Sequence, residues 1–227
     1  MEKKTSKHCG RQFPGMNEFS GVTINVDEVR DAVKKFERQL KSGRVFFPGD
    51  APFAMKCETL LKNAASDIEG LSASGRSFTA TDKTLYAEGD APKTVTVDES
   101  DIIAVLDNTK KGLFGGLEKK ECALGALVTT KGVLSYNEGG SGSGFVTWPS
   151  IAVSTDRGYS SVLFCGKTHI AFPCGPRLWL SLSNGPDRGR DSSFHELVLH
   201  LCFIARGNGS EFDYDEFRPE PPGDADE

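Results

Sequence analysis

The chain has 227 residues, a mass of 24.5 kDa and 37% hydrophobic side chains, which suits one large domain or a medium domain with a helical extension. Its formal charge of −5 sits at one end: residues 211–227 carry eight acids and one arginine, a balance of −7, so residues 1–210 carry about +2. That near-neutral body excludes a strongly basic nucleic-acid-binding face, and no apolar run reaches the ~18 residues of a membrane-spanning helix.

The basic start "MEKKTSKHCGRQFPG" leads into no apolar stretch, so it does not read as a secretory signal and a cytoplasmic location is expected. Six cysteines, at 9, 57, 122, 165, 174 and 202, occur without a CxxC pair. Cys122, Cys165 and Cys202 stand in apolar runs, where a thiol acts as a small hydrophobe. No disulfide framework is expected.

Residues 1–21 are polar and unpatterned and read as a flexible arm. Val26, Val29, Val33, Phe36 and Leu40 recur at steps of three and four, the stripe of an amphipathic helix. Asp27 and Glu28 favour its start, and Lys41 and Gly43 its end. "RVFFPGDAPF" reads as a Pro/Gly connector. "MKCETLLKNAASDIEGL" predicts a second helix, with Leu60, Leu61, Ala64, Ala65 and Ile68 inward and Gly70 as its stop. "SFTATDKTLYA" and "KTVTV" change to a strand-like period, which completes an N-terminal helical extension over residues 22–97.

From residue 101 to 183 the text is a series of short β-like runs: "IIAVLD", "ECALGALVTT", "VLSYN", "GFVTW", "SIAVST", "SVLFC", "THIAF" and "RLWLSLS". Glycine-rich or charged turn signals separate them. No crossover helix fits between them, so the sheet should be antiparallel. "DSSFHELVLHLCFIARG" then predicts a closing helix. Ser193 and Glu196 form a capping box, Phe194, Leu197, Val198, Leu201, Ile204 and Ala205 an apolar face, and Gly207 the C-terminal stop. Residues 208–227 read as an acidic, disordered tail with Phe212, Tyr214 and Phe217 among its acids.

Chemical motifs are sparse. A zinc-protease helix needs HExxH, but His195 and His200 are five apart, which leaves the rings about 140° apart around a helix. Cys165, His169 and Cys174 have zinc-compatible chemistry without a knuckle spacing. They define the alternative reading of a metal-binding protein or hydrolase. "GGSGSG" fits neither a phosphate loop nor the GxSxG of a serine nucleophile. No catalytic residue, metal ligand or cofactor is therefore assigned.

The strongest contact candidate is "NTKKGLFGGLEKKE", residues 108–121. It carries Lys110, Lys111, Lys119 and Lys120 around Leu113, Phe114 and Leu117. Lysines bracketing apolar side chains suit an acidic protein partner or an anionic lipid surface, although Glu118 and Glu121 weaken the lipid version. A homo-oligomer assembled through the N-terminal helices is a further possibility.

Together, "IIAVLDNT", "GALVTTKGVLSY", "FVTWPSIAVS", "SVLFCGKTHIAF" and "SSFHELVLHLCFIA" resemble the bacterial pleckstrin-homology-like (PH-like) domains over about residues 98–207. The hairpin at 125–133 and the strand entry Trp148-Pro149-Ser150-Ile151 carry the likeness. "LLKNA", residues 60–64, resembles a helix that precedes the domain in some such proteins. The lysine loop and the cysteine-rich strands depart from the pattern. The resemblance implies an α+β fold, a PH-like bent antiparallel β-barrel or roll capped by the C-terminal helix and preceded by the helical extension. It also implies a non-enzymatic binding or scaffolding role.

Overall fold

Asn25 opens the first helix. Its side-chain oxygen accepts from the Asp27 and Glu28 amides at 3.1 and 3.4 Å, satisfying two donors that a helix start otherwise leaves bare. The helix α1, Val26–Leu40, has acids in its first turn and buries Val29, Val33 and Phe36 of the predicted stripe, with Ala32 beside them; Val26 is partly buried, and the Leu40 side chain lies outside the described residues. The computed structural model describes residues 24–40, 45–82, 93–107, 109, 121–138, 143–149, 151, 162–164, 167–170, 178–180, 197, 200–201, 203–205 and 207–211.

The Pro/Gly connector also supplies a strand. Val45–Phe46 forms β1 and pairs antiparallel with the later strand β5, Ile102–Asp107. The chain then turns at 47–50, where the Asp50 amide returns to the Phe47 carbonyl at 2.9 Å. Helix α2, Phe53–Asp67, starts two residues before the predicted helix, after Pro52 at its cap. It ends before Gly70, and Leu71–Ser74 is a strand, β2, not a helix end. With β3, Ser77–Asp82, and β4, Lys93–Val97, it makes a three-stranded antiparallel sheet ordered β2-β3-β4.

The main sheet has five strands in the order β1-β5-β6-β7-β8, with β6 at Leu124–Thr129, β7 at Gly132–Asn137 and β8 at Gly144–Thr147. All its pairings are antiparallel. A third sheet, ordered β11-β10-β9, comprises β9 at Val162–Phe164, β10 at Lys167–Ile170 and β11 at Leu178–Leu180. Strand β11 lies beside β7. The predicted strand "SIAVST" is corrected at its start: Trp148, Pro149 and Ile151 are helical. Its remaining residues lie outside the described ones.

The register explains the nearly unbroken apolar text of β5 and β6. Phe46, Val105, Leu127, Leu134 and Phe145 stand side by side across all five strands. They pack toward Cys57, Leu60, Leu61 and Ala64 of α2 and Leu71, Phe78, Ala80 and Val97 of the small sheet. On the opposite face Ala104, Val128, Val133 and Val146 form another row. They pack with α1 and with Leu197, Leu201, Ile204 and Ala205. A sheet covered on both faces loses the apolar/polar alternation of a half-solvated one. A bulge between Ile102 and Ala104 sends the consecutive residues Ile103 and Ala104 into one core cluster, as an extra unpaired residue does.

The sequence left open whether the N-terminal helices touch the β-region. Here α1 and α2 cover opposite faces of one sheet, so the elements of 24–82 and 98–151 share two cores. The α+β class with antiparallel sheets holds. Among the described residues the sheets stay open and no barrel closes: β1 and β8 are the edges of the main sheet.

At the C-terminal end, residues 197, 200, 201, 203, 204 and 205 are helical. Gly207, at φ +82°, ends the turn. Its amide and that of Asn208 return to the carbonyls of Ile204 and Phe203 at 3.0 and 2.9 Å, the paired bonds of a Schellman stop. Burying Leu197, Leu201 and Ile204 contributes roughly 5–9 kcal/mol before entropy losses. The predicted capping box at Ser193 and Glu196, the arm 1–21 and the tail from 212 lie outside the described residues.

Candidate functional site

The described structure meets the lysine segment at its two roots. Strand β5 ends at Asp107, and Glu121 leads into β6. Asp107 and Gly125 face each other in register, so the hairpin brings the roots together. Thr109 adds a cross-link: its amide donates to Asp107 Oδ1 at 3.0 Å, while its hydroxyl accepts from the Leu124 amide at 3.4 Å.

Helix α2 clamps both roots. Lys56 Nζ donates to Asp107 Oδ2 at 2.7 Å and to Glu121 Oε1 at 2.6 Å, and lies 5.8 Å from the centroid of the Phe46 ring. Side-chain exposure is 14% for Lys56, 10% for Asp107 and 51% for Glu121, so the Lys56–Asp107 pair is internal and Glu121 is its solvent side. One turn pair further along, Asn63 is buried and its side-chain amide donates to the carbonyl of Glu121 at 2.8 Å and that of Cys122 at 3.4 Å. Cys122 has φ +54°, the left-handed region that costs a side-chain-bearing residue about 1–2 kcal/mol. Such a conformation persists where the surroundings over-determine it, and here the Asn63 amide and the Lys56–Glu121 pair do so.

The electrostatics match an anchor. Burial alone would lower Lys56, yet its hydrogen bonds to Asp107 and Glu121 outweigh that and raise it above its ordinary value. Burial likewise works against ionised Asp107, but the Lys56 ammonium and the Thr109 amide hold its carboxyl below the usual carboxylate range. Burial pushes the thiols of Cys57 and Cys122 up to about 12, so both are protonated near neutrality and neither offers a thiolate nucleophile. Tyr136 donates to Asp67 Oδ2 at 2.5 Å, linking β7 to the end of α2.

A second polar node ties the layers together. Asp101 accepts from Lys131 Nζ at 2.7 Å, the Thr130 hydroxyl at 2.7 Å and the Asp98 amide at 2.9 Å. Lys131 also donates to the Thr96 carbonyl at 2.7 Å. Desolvation opposes the Asp101 charge, but the Lys131, Asp98 and Thr130 hydrogen bonds hold its carboxyl below the usual range.

Of the predicted contact residues, Lys110, Lys111, Leu113, Phe114, Leu117, Lys119 and Lys120 lie outside the described residues. In the alternative metal set, His169 occupies β10 between Val162 and Trp179 in register, while Cys165 and Cys174 lie outside. His195 does too. His200 Nε2 lies 3.2 Å from the Gly209 carbonyl, a bond that ties the helical end to the turn after it. Among the described residues no three His, Cys, Asp or Glu side chains gather as a metal would need, and no helix is long and apolar enough to cross a membrane.

Sequence reasoning passed over Lys56, Asn63 and Asp107. Lys56 and Asn63 are seven apart and so share a flank of α2 beside the buried Cys57, Leu60 and Ala64. Two polar groups against an apolar stripe, with an aspartate closing the apolar run "IIAVLD", were the available signal. Fold and site together define an α+β protein in which an ionic cluster of Lys56, Asp107 and Glu121 ties helix α2 to the end of β5 and the approach to β6. Comparison with models of known protein families, with curated proteins and with solved structures returns no match.

Proposed function

We propose that the chain is a non-enzymatic, intracellular binding or scaffolding module whose contact surface is the segment of residues 108–120. Its partner is a protein presenting an acidic stretch. The observation that carries this reading is the anchor. A segment with four lysines and one glutamate, a balance of +3 around Leu113, Phe114 and Leu117, is mounted on two strand ends joined by Lys56, Asp107 and Glu121. Function is commonly carried on loops held by a rigid scaffold, and charge complementarity gives such a contact its rate and specificity.

The reading includes the PH-like unit over residues 98–207. Its support is the run of seven antiparallel strands, β5 to β11, followed by helical residues whose apolar side chains seat on the sheet. In this reading the helical residues between 197 and 205 belong to the capping helix, and α1 and α2 form the helical extension before the domain.

The test compares wild type with a variant carrying Lys110→Glu, Lys111→Glu, Lys119→Glu and Lys120→Glu. Binding to an immobilised polyglutamate peptide and cosedimentation with phosphatidylserine vesicles are measured for both. Peptide binding that the variant loses supports the reading. Vesicle binding without peptide binding would move the partner to a membrane surface. Binding unchanged by the four substitutions would remove the segment from the reading.

A further inference from the structure

We propose that Asn208-Gly209 is a site of spontaneous covalent modification, at which the Asn208 side-chain amide is lost as ammonia and the backbone rearranges to isoaspartate. The change loosens the turn that closes the buried C-terminal residues onto α1 and the main sheet. The proposal is independent of the binding reading above.

Asn208 is exposed and is followed by a residue without a side chain, so nothing on residue 209 shields the peptide bond between them. The turn Gly209–Glu211 begins directly after Asn208, which places the Gly209 amide among the first amides of a helical turn, those without an intrahelical partner. The Asn208 side-chain amide donates to Glu211 Oε2 at 3.1 Å, so the side chain lies over that turn. The reaction needs only these groups and water. The Gly209 nitrogen gives up its proton and bonds to the Asn208 side-chain carbonyl carbon. The Cγ–Nδ2 bond breaks, and ammonia leaves with that proton. Water then opens the cyclic imide at either carbonyl, giving aspartate or isoaspartate. Packing fixes the glycine: a β-carbon on residue 209 would lie 2.7 Å from Ile204 Cγ1 and 3.2 Å from Glu28 Oε2.

The same turn closes the C-terminal segment. The Asn208 backbone amide returns to the Phe203 carbonyl at 2.9 Å, and the Gly209 carbonyl lies 3.2 Å from His200 Nε2. Isoaspartate adds a methylene to the backbone between these two bonds and shifts one against the other. Either product also replaces the amide donor with a carboxylate beside Glu211, with Glu28 on the other side of Gly209, and like charges at such separations repel.

The full chain is incubated in mildly alkaline buffer, both folded and in guanidinium chloride, and digested at intervals. The peptide containing Asn208 is followed by mass, where conversion adds about 1 Da, separately from that of the other Asn-Gly pair, Asn184-Gly185. Isoaspartate is scored with an isoaspartate-specific methyltransferase. We expect Asn208 in the folded protein to convert no more than about tenfold slower than in the denatured chain, as in a terminal turn that opens readily, and faster as pH rises. Aged protein should unfold roughly 2–4 °C below fresh protein, the shift for one lost hydrogen bond in a chain of this size. Asn208→Gln keeps an amide but closes the larger imide slowly, so it should neither convert nor lose stability on ageing. Conversion of Asn208 in the denatured chain but not in the folded one overturns the site. Conversion with unchanged unfolding, or an equal loss of stability in aged Asn208→Gln, overturns its effect on the C-terminal turn.

Discussion

The backbone amide and the hydroxyl of Thr147 both donate to one carboxylate oxygen of Asp82, at 3.0 and 2.6 Å. Asp82 ends β3 in the small sheet and Thr147 ends β8, an edge of the main sheet. Both residues are buried, so the carboxylate joins two sheets away from water. Asp82→Ala leaves a buried amide and hydroxyl without this acceptor, at a cost of about 1–3 kcal/mol. At about 2–4 °C per kcal/mol for a chain of this size, thermal unfolding should shift down accordingly. A variant that melts with the wild type would show that the joint is not needed.

Gly125 sits where β6 meets α2. A β-carbon there would lie 2.2 Å from the Leu106 carbonyl oxygen and 2.9 Å from Leu60 Cδ1. The first contact is with backbone and cannot be relieved by a rotamer change. Gly125→Ala should therefore destabilise by at least the 1–3 kcal/mol typical of overpacking. Leu60→Ala, introduced with it, should recover little, since the carbonyl clash persists. Urea denaturation of the three variants measures this directly.

Leu201 is buried among α1 and the sheet. Leu201→Ala should cost about 2–5 kcal/mol, and Leu201→Asp, which buries a charge, should unfold the protein outright. A normal cooperative transition in Leu201→Asp would show that the segment is not seated in the core.

Lys56 and Asp107 predict a non-additive pair. Removing either partner leaves a mostly buried charge and should cost about 3–5 kcal/mol, whereas replacing both with apolar residues should cost far less. The pH profile follows with opposite signs. Asp107 and Asp101 are held below the ordinary value of 3.8, so their stabilisation is complete above it and lost as pH falls below. Lys56 is raised above 10.5, so its contribution is complete below that pH and is lost only at higher pH. Denaturation at several pH values should show an acid-side loss that Asp107→Asn diminishes.

His200 gives a separate, milder effect. Burial lowers its pKa from 6.5 and Lys35 adds to this, outweighing the Gly209 carbonyl. The folded state thus binds a proton less readily than the unfolded chain, so stability is full above about pH 6.5 and declines below it. His200→Gln can still reach the Gly209 carbonyl and does not titrate. The difference in unfolding free energy between the two proteins should grow in favour of the variant between pH 7 and 5. A constant difference would discount the histidine.

The legible parts of the fold were those with a local signature. The step of three and four from Val26 to Phe36 marks α1, and "IIAVLD" is β5 residue for residue. Two short strands escaped: Val45–Phe46 lies in a Pro/Gly connector, and Leu71–Ser74 continues the apolar pattern of α2. Each is a strand because of its partner, Leu106 and Val105 for one, Ala80 and Phe78 among others for the second. The anchor was hidden for the same reason. Lys56 meets carboxylates 51 and 65 positions away, and no window of sequence contains such a pair.

Composition, charge and periodicity by themselves determined an α+β chain with a near-neutral body, antiparallel strands and a +3 excursion between β5 and β6. Tertiary structure alone decided that α1 and α2 cover opposite faces of one open sheet and that Lys56 holds both ends of that excursion. The physical reason is that a side-chain pattern records which positions leave water. What they meet when they do is settled by contacts between segments far apart along the chain.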